Sequence, residues 1–185
     1  MKVTELKLPG LLHIEPRSFG DDRGVFMETW NQQRYQDCGM RQAFVQDNMS
    51  WSSKDVLRGL HFQHPHSQGK LVYVLVGEVY DVAVDIRLGS PSFGKWEGVI
   101  LSDKTRNQLF IPPGFAHGFL VMNEKALFCY KCTDFYNPST DRGVVWNDKT
   151  LGIKWPTVKP LVSPKDQLLP PLADIQKQHF LAFQG

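Results

Sequence analysis

KLVYVLVGEVYDVAVDI, residues 70–86, is the stretch from which the fold is read. It is dense in β-branched and aromatic residues and is interrupted once, at Gly77-Glu78. After that break Tyr80, Val82, Val84 and Ile86 alternate with Val79, Asp81, Ala83 and Asp85. Period two marks a strand, here with one wholly apolar face and one mixed face. Downstream, Gly89-Ser90-Pro91 turns the chain, and residues 96–101 and 108–111 read as further strands. Residues 119–122 and 126–132 read as a hairpin around Asn123-Glu124. Upstream, residues 32–38 suit a short helix stopped by Gly39. The last third, with Trp155-Pro156, Lys159-Pro160 and Pro170-Pro171, reads as irregular backbone wrapped on the core. Twelve prolines and fifteen glycines punctuate short strands throughout. The pattern predicts an all-β jelly roll with little helix, whose centre is the natural place for a small ligand.

A length of 185 residues predicts one domain, residues 1–185, with one sizeable core. Hydrophobic residues at 42% and charged residues at 22% are ordinary for a globular protein. A net charge of +2 without a basic stripe gives no support to nucleic-acid binding. No apolar run approaches membrane-spanning length, and the N-terminus, MKVTELKLP, lacks the apolar core of a signal peptide. Three cysteines make no disulfide framework, so a reducing cytoplasm is expected.

The chemistry-bearing residues cluster. Four of six histidines lie in Arg58-Gly59-Leu60-His61-Phe62-Gln63-His64-Pro65-His66 and Ile111-Pro112-Pro113-Gly114-Phe115-Ala116-His117-Gly118-Phe119. His64, His66 and His117 with a carboxylate would make a metal site. The competing reading, which we adopt, leaves His64 and His66 in a proline-bounded loop facing water, because no carboxylate follows His66 within a turn. Cys129 and Cys132 are three apart in a strand-like run and so point to opposite faces, as small packing residues. Proton transfer at carbon needs a base near neutral pKa, an opposed acid and a cation beside the developing oxyanion. His61, Tyr130 and Lys70 are candidates, with Arg58 adding positive charge. Residue type alone does not separate these roles from structural ones. Arg23, Glu28, Gln46, Asn48, Arg58 and Lys70 together suit a phosphate and a sugar, although Asp22-Arg23-Gly24 and Asp47-Asn48 also read as turn chemistry.

The runs FGDDRG (19–24), FVQDN (44–48), VLRGLHFQ (56–63), QGKLV (68–72), GEVYDVAVDIR (77–87) and SPSFGKW (90–96) resemble the dTDP-4-dehydrorhamnose 3,5-epimerase family. So do residues 111–119, Tyr130-Lys131, GVVWND (143–148) and GIKWP (152–156), in order from about residue 19 to 166. The resemblance implies a cupin-type jelly roll, usually a homodimer, with no metal or other cofactor. It implies conversion of dTDP-4-dehydro-6-deoxy-D-glucose to dTDP-4-dehydro-L-rhamnose by proton transfer at C3 and C5. By the same resemblance His61 is the base, Tyr130 the acid, Lys70 lies near the C4 oxygen and Asp166 orients His61. Tyr136 matches the aromatic that stacks on thymine. Arg23, Glu28, Gln46, Asn48, Arg58, His117, Asp141 and Lys165 match positions that bind the nucleotide sugar.

Two positions depart from the family's pattern: Asp55 stands where a small residue is expected, and Asp141 where glutamate is usual. The alternatives are a relative inverting only C3 or only C5, a metal-dependent cupin enzyme, and a non-catalytic sugar-binding module. A binding module has no use for an acid–base pair.

Overall fold

A computed structural model describes residues 1–184. The chain begins with β1 (Lys2–Glu5), β2 (Leu12–Glu15), a hairpin of β3 (Ser18–Asp21) and β4 (Gly24–Met27), and helix α1 (Gln32–Asp37). The central run is β5 (Gln46–Ser53), β6 (Val56–Gln63), β7 (Lys70–Val76), β8 (Glu78–Asp85), β9 (Trp96–Ser102), β10 (Gln108–Ile111), β11 (Phe115–Val121) and β12 (Lys125–Cys132). The C-terminal third holds only short pieces: β13 (Asp141–Gly143), β14 (Leu161–Val162), helix α2 (Pro164–Gln167) and 3-10 turns at Leu172–Asp174 and Lys177–His179.

One sheet runs β1-β2-β10-β7-β12-β5 and the other β13-β6-β11-β8-β9, with β14 added parallel to β6. Successive strands cross between the sheets, β7 to β8, β9 to β10 and β11 to β12. This is a cupin-type jelly roll. Residues 119–121 and 126–132 do form strand, with Met122 just beyond β11, but the two strands do not make a hairpin. β11 pairs with β6 and β8, and β12 with β5 and β7. A tight turn at Asn123-Glu124 serves a sheet-to-sheet crossover as well as a hairpin, and burial on both sides decides for the crossover. The break at Gly77 is another crossing. Its φ of 84° suits glycine, and a Cβ there would collide with the Lys125 carbonyl oxygen.

Val72, Val74, Val79, Ala83, Leu109, Phe119 and Phe128 fill the space between the sheets. The mixed face of β8 therefore points inward. Its wholly apolar face, with Val82, Val84 and Ile86, is covered from outside by Val144, Leu151, Leu172 and Phe180 of the C-terminal wrap. On the other sheet, α1 lays Tyr35 against Ile14, Leu71 and Phe110. The Tyr35 hydroxyl donates to Gln108 Oε1 at 2.7 Å, so its burial leaves no polar group unmet. Among the described residues the β3–β4 hairpin pairs with no other strand, and it exposes Phe19, Val25 and Phe26, the last at 71%. No helix among the described residues is long and apolar enough to cross a membrane.

Candidate active site

A cavity of about 530 Å³ opens between the sheets. β6 brings Arg58 and His61 to it, β7 Lys70, β11 His117, β12 Tyr130, and the β14–α2 segment Ser163, Lys165 and Asp166. Leu57, Phe119 and Phe128 supply apolar wall. Arg58 and His61 are three apart, so a regular strand would send them to opposite faces. The β6–β11 register shifts between His117, opposite His61, and Phe119, opposite Arg58. This irregularity lets both side chains reach one cavity, as bulges beside active sites do. Gly59 and Gly118 make it possible. Gly59 has φ of 124°, and a Cβ on it would lie 2.6 Å from Gly118 Cα.

The parallel pairing of β14 with β6 sets α2 beside His61. Ser163 caps that short helix by accepting from the Asp166 N–H at 3.1 Å, and Pro164 suits its first position. Asp166 is almost wholly buried. Its Oδ1 lies 2.7 Å from His61 Nε2, and its Oδ2 accepts from the Gly59 N–H at 3.1 Å. Burial pushes the carboxyl up, but the bond and charge of His61, then the Gly59 N–H, outweigh it and hold Asp166 below the usual carboxylate range. An ionised Asp166 places the ring proton on Nε2 and leaves Nδ1 free to accept a proton.

Across the barrel, burial lowers the pKa of Lys70, opposed by Cys132, Asp141 and Asp81. Burial likewise raises Tyr130, partly offset by Arg58, so the phenol keeps its proton at neutral pH. Arg58 donates from Nε to Ser52 Oγ at 3.1 Å. His117 lies with Nε2 2.9 Å from Asp81 Oδ2.

At the rim a chain of hydrogen bonds joins four more expected residues. Lys165 Nζ donates to Asp141 Oδ2 at 2.6 Å, and the Tyr136 hydroxyl donates to the same oxygen at 3.1 Å. The Tyr136 N–H donates to Gln46 Oε1, and Gln46 Nε2 donates to Asn48 Oδ1. Asp141 thus reaches Lys165 without the extra methylene of glutamate. Arg23 and Glu28 do not join the others. Arg23 pairs with Asp21 on the hairpin, and Glu28 pairs with Arg34. The hairpin stands away from this chain's own cavity, which sequence spacing does not reveal.

The sequence profile of the family described as dTDP-4-dehydrorhamnose 3,5-epimerase matches residues 5–174. The chain belongs to this family. It is 53% identical over 168 residues to the dTDP-4-dehydrorhamnose 3,5-epimerase of Shigella flexneri, covering 90% of this chain and 93% of that protein. A Legionella pneumophila dTDP-6-deoxy-D-glucose-3,5-epimerase, solved in complex with dTDP-4-keto-L-rhamnose, superposes with a TM-score of 0.97. The two are 47% identical, over 100% of this chain and 99% of that one. A dTDP-4-dehydrorhamnose 3-epimerase from Streptomyces niveus is less similar, 39% identical over 90% of this chain and 82% of its own length. The family is one of isomerases.

Against this epimerase background, two cavity residues carried no signal in the sequence. Ser50 lines the cavity with a buried hydroxyl that meets no partner among the described residues. Ser163 caps the helix carrying Asp166. Asp81, which lies behind the cavity, is a charge on the inward face of β8 between Val79 and Ala83, and that mismatch was the one legible hint. Among the described residues the three histidines of the metal alternative do not form one cluster. His64 Nδ1 meets Ser67 Oγ at 3.0 Å, His66 faces Asp134 at 3.5 Å, and His117 is engaged with Asp81. Cys132 is buried and accepts from Asn48 Nδ2 at 3.6 Å, while Cys129 is half-buried.

Proposed function

We propose that this cavity epimerises dTDP-4-dehydro-6-deoxy-D-glucose at C3 and C5, giving dTDP-4-dehydro-L-rhamnose. The C4 ketone acidifies both neighbouring C–H bonds. His61 Nδ1 removes a proton from one face, and Asp166 stabilises the imidazolium that forms. Lys70 stabilises the enolate oxygen. Tyr130 returns a proton from the other face. The observation that carries this reading is that His61 sits on β6 of one sheet and Tyr130 on β12 of the other, so base and acid flank the cavity from opposite walls. Arg58, Lys165, Gln46 and Asn48 bind the nucleotide diphosphate, and Tyr136 offers its ring to the base. Binding energy from these remote groups holds the sugar in place between the two proton transfers.

The active form in this reading is a cytoplasmic homodimer of one-domain chains. The unpartnered hairpin with exposed Phe19, Val25 and Phe26 supports it, since such a patch marks an interface. In that dimer Arg23 and Glu28 complete the cavity of a second copy. Free Cys38, Cys129 and Cys132 suit a reducing compartment.

Proton NMR of chelator-treated protein with the substrate in D2O tests the reaction. Deuterium entering at both C3 and C5 is the expected result. Exchange at one carbon alone assigns a single-centre epimerase, and exchange only after metal is restored removes His61 and Tyr130 from these roles.

A further inference from the structure

Asp81 has no exposed surface and sits inside the barrel behind a cavity residue. Its Oδ2 lies 2.9 Å from His117 Nε2. Its Oδ1 is buried and meets no hydrogen-bond donor among the described residues. The His117 ring stacks on Phe128, with centroids 6.1 Å apart and planes at 20°, and Phe128 in turn stacks on Phe119 at 4.0 Å. The ring plane is thus held by one aromatic face, and its rotation about that plane by one carboxylate. No protein group meets Nδ1 among the described residues, and the ring lines the cavity.

Resting on the epimerase reading, we propose that Asp81 is a positioning residue that holds the proton of His117 on Nε2, so that Nδ1 faces the substrate as a hydrogen-bond acceptor for a sugar hydroxyl. A neutral imidazole has one donor and one acceptor nitrogen, and a carboxylate takes the donor. Burial favours the neutral ring, and Lys70 and His61 nearby add to that against the pull of Asp81. His117 therefore does not serve the developing oxyanion, which needs a donor. That task is left to Lys70. The charged and titratable groups around His117 are Asp81 on β8, Lys70 on β7 and His61 on β6. The charge remaining on the unpaired Oδ1 of Asp81 has Lys70 as its nearby cation, and Asp81 in turn helps Lys70 stay protonated.

The first test needs neither substrate nor mutation. In 15N-histidine-labelled protein, long-range 15N–1H spectra are expected to show His117 neutral with its proton on Nε2 from pH 6.5 to 8. A proton on Nδ1, or an imidazolium at pH 7, overturns the proposal. The second test compares two variants. Asp81→Asn keeps an acceptor for Nε2–H, whereas the similarly sized Asp81→Leu removes it. Turnover in Asp81→Leu is expected to fall about 10- to 100-fold below that of Asp81→Asn, the loss of one substrate hydrogen bond. A merely structural Asp81 would lower the melting temperature of both variants without the Nε2–H signal surviving selectively in Asp81→Asn. Equal turnover in the two folded variants also overturns it. Failure of the wild-type protein to turn over would sink the epimerase reading and leave the tautomer result standing.

Discussion

At the residue scale, the roles proposed for His61 and Tyr130 rest on protonation. His61 is held by a buried carboxylate with one nitrogen free, and Tyr130 keeps its proton because burial raises it. Tyr130→Phe leaves the proposed base intact and removes the proposed acid. It is expected to let substrate C–H exchange with D2O continue while inversion slows about 100-fold or more, read by NMR of the sugar. Inversion at the normal rate would remove Tyr130 from the mechanism. Asp55 poses a different residue-scale question. It departs from the small residue expected there, and its φ is 63°. Left-handed backbone is strained for a residue with a Cβ, although aspartate tolerates it better than most. Its N–H and carbonyl are engaged by Val121 and Leu161, so the turn cannot relax. Asp55→Gly should raise stability by about 0.5–1 kcal/mol, measured by urea unfolding. A loss of stability would show that the Asp55 side chain holds something the turn needs.

At the scale of elements, the decisive feature is where β6 meets β11. Two glycines let the backbones approach, and the shifted register brings Arg58 and His61 to one face. The Gly59 N–H also anchors Asp166. A methyl on Gly59 meets Gly118 Cα and the His117 carbonyl oxygen, both backbone atoms that cannot swing aside. Gly59→Ala is therefore expected to cost about 2–4 kcal/mol, from positive φ plus the clash. Turnover should fall further than unfolding explains, because His61 and Asp166, the proposed base and its partner, are displaced. A variant with unchanged melting temperature would mean the strands can part without harm. The element types were legible in the sequence, since period two, Gly77 and the Gln32–Asp37 helix with Gly39 after it all follow local rules. The pairing of β11 and β12 was not, because a tight turn is compatible with either a hairpin or a crossover.

At the scale of the whole molecule, pH acts through buried groups spread over the barrel. Asp166 and Asp85 both sit below the usual carboxylate range. For Asp85, burial pushes up but Arg87, Ser90 and Ser92 outweigh it. Their stabilisation is present above the unfolded value and lost as pH falls through the folded one. Burial lowers His117, so the unfolded chain binds a proton that the folded chain refuses. Stability should accordingly fall in two stages on acidification, first below about pH 6.5 and again below about pH 4. Urea midpoints at pH 8, 6, 5 and 3.5 would show this. A midpoint constant from pH 8 to 5 contradicts the first stage.

Local chemistry alone determined the strand-rich fold class, the chain breaks at glycine and the identity of His61, Lys70 and Tyr130 as reactive types. Resemblance then assigned their partners. Only the tertiary structure decided which face of β8 turns inward, and with it the burial of Asp81 behind His117. It also set Asp166 against His61 across more than a hundred residues of chain, and showed that Arg23 and Glu28 leave this chain's own cavity. The reason is physical. Periodicity reports which residues share a face of one element, but which face meets the cavity depends on how two sheets and a C-terminal wrap share the available apolar surface.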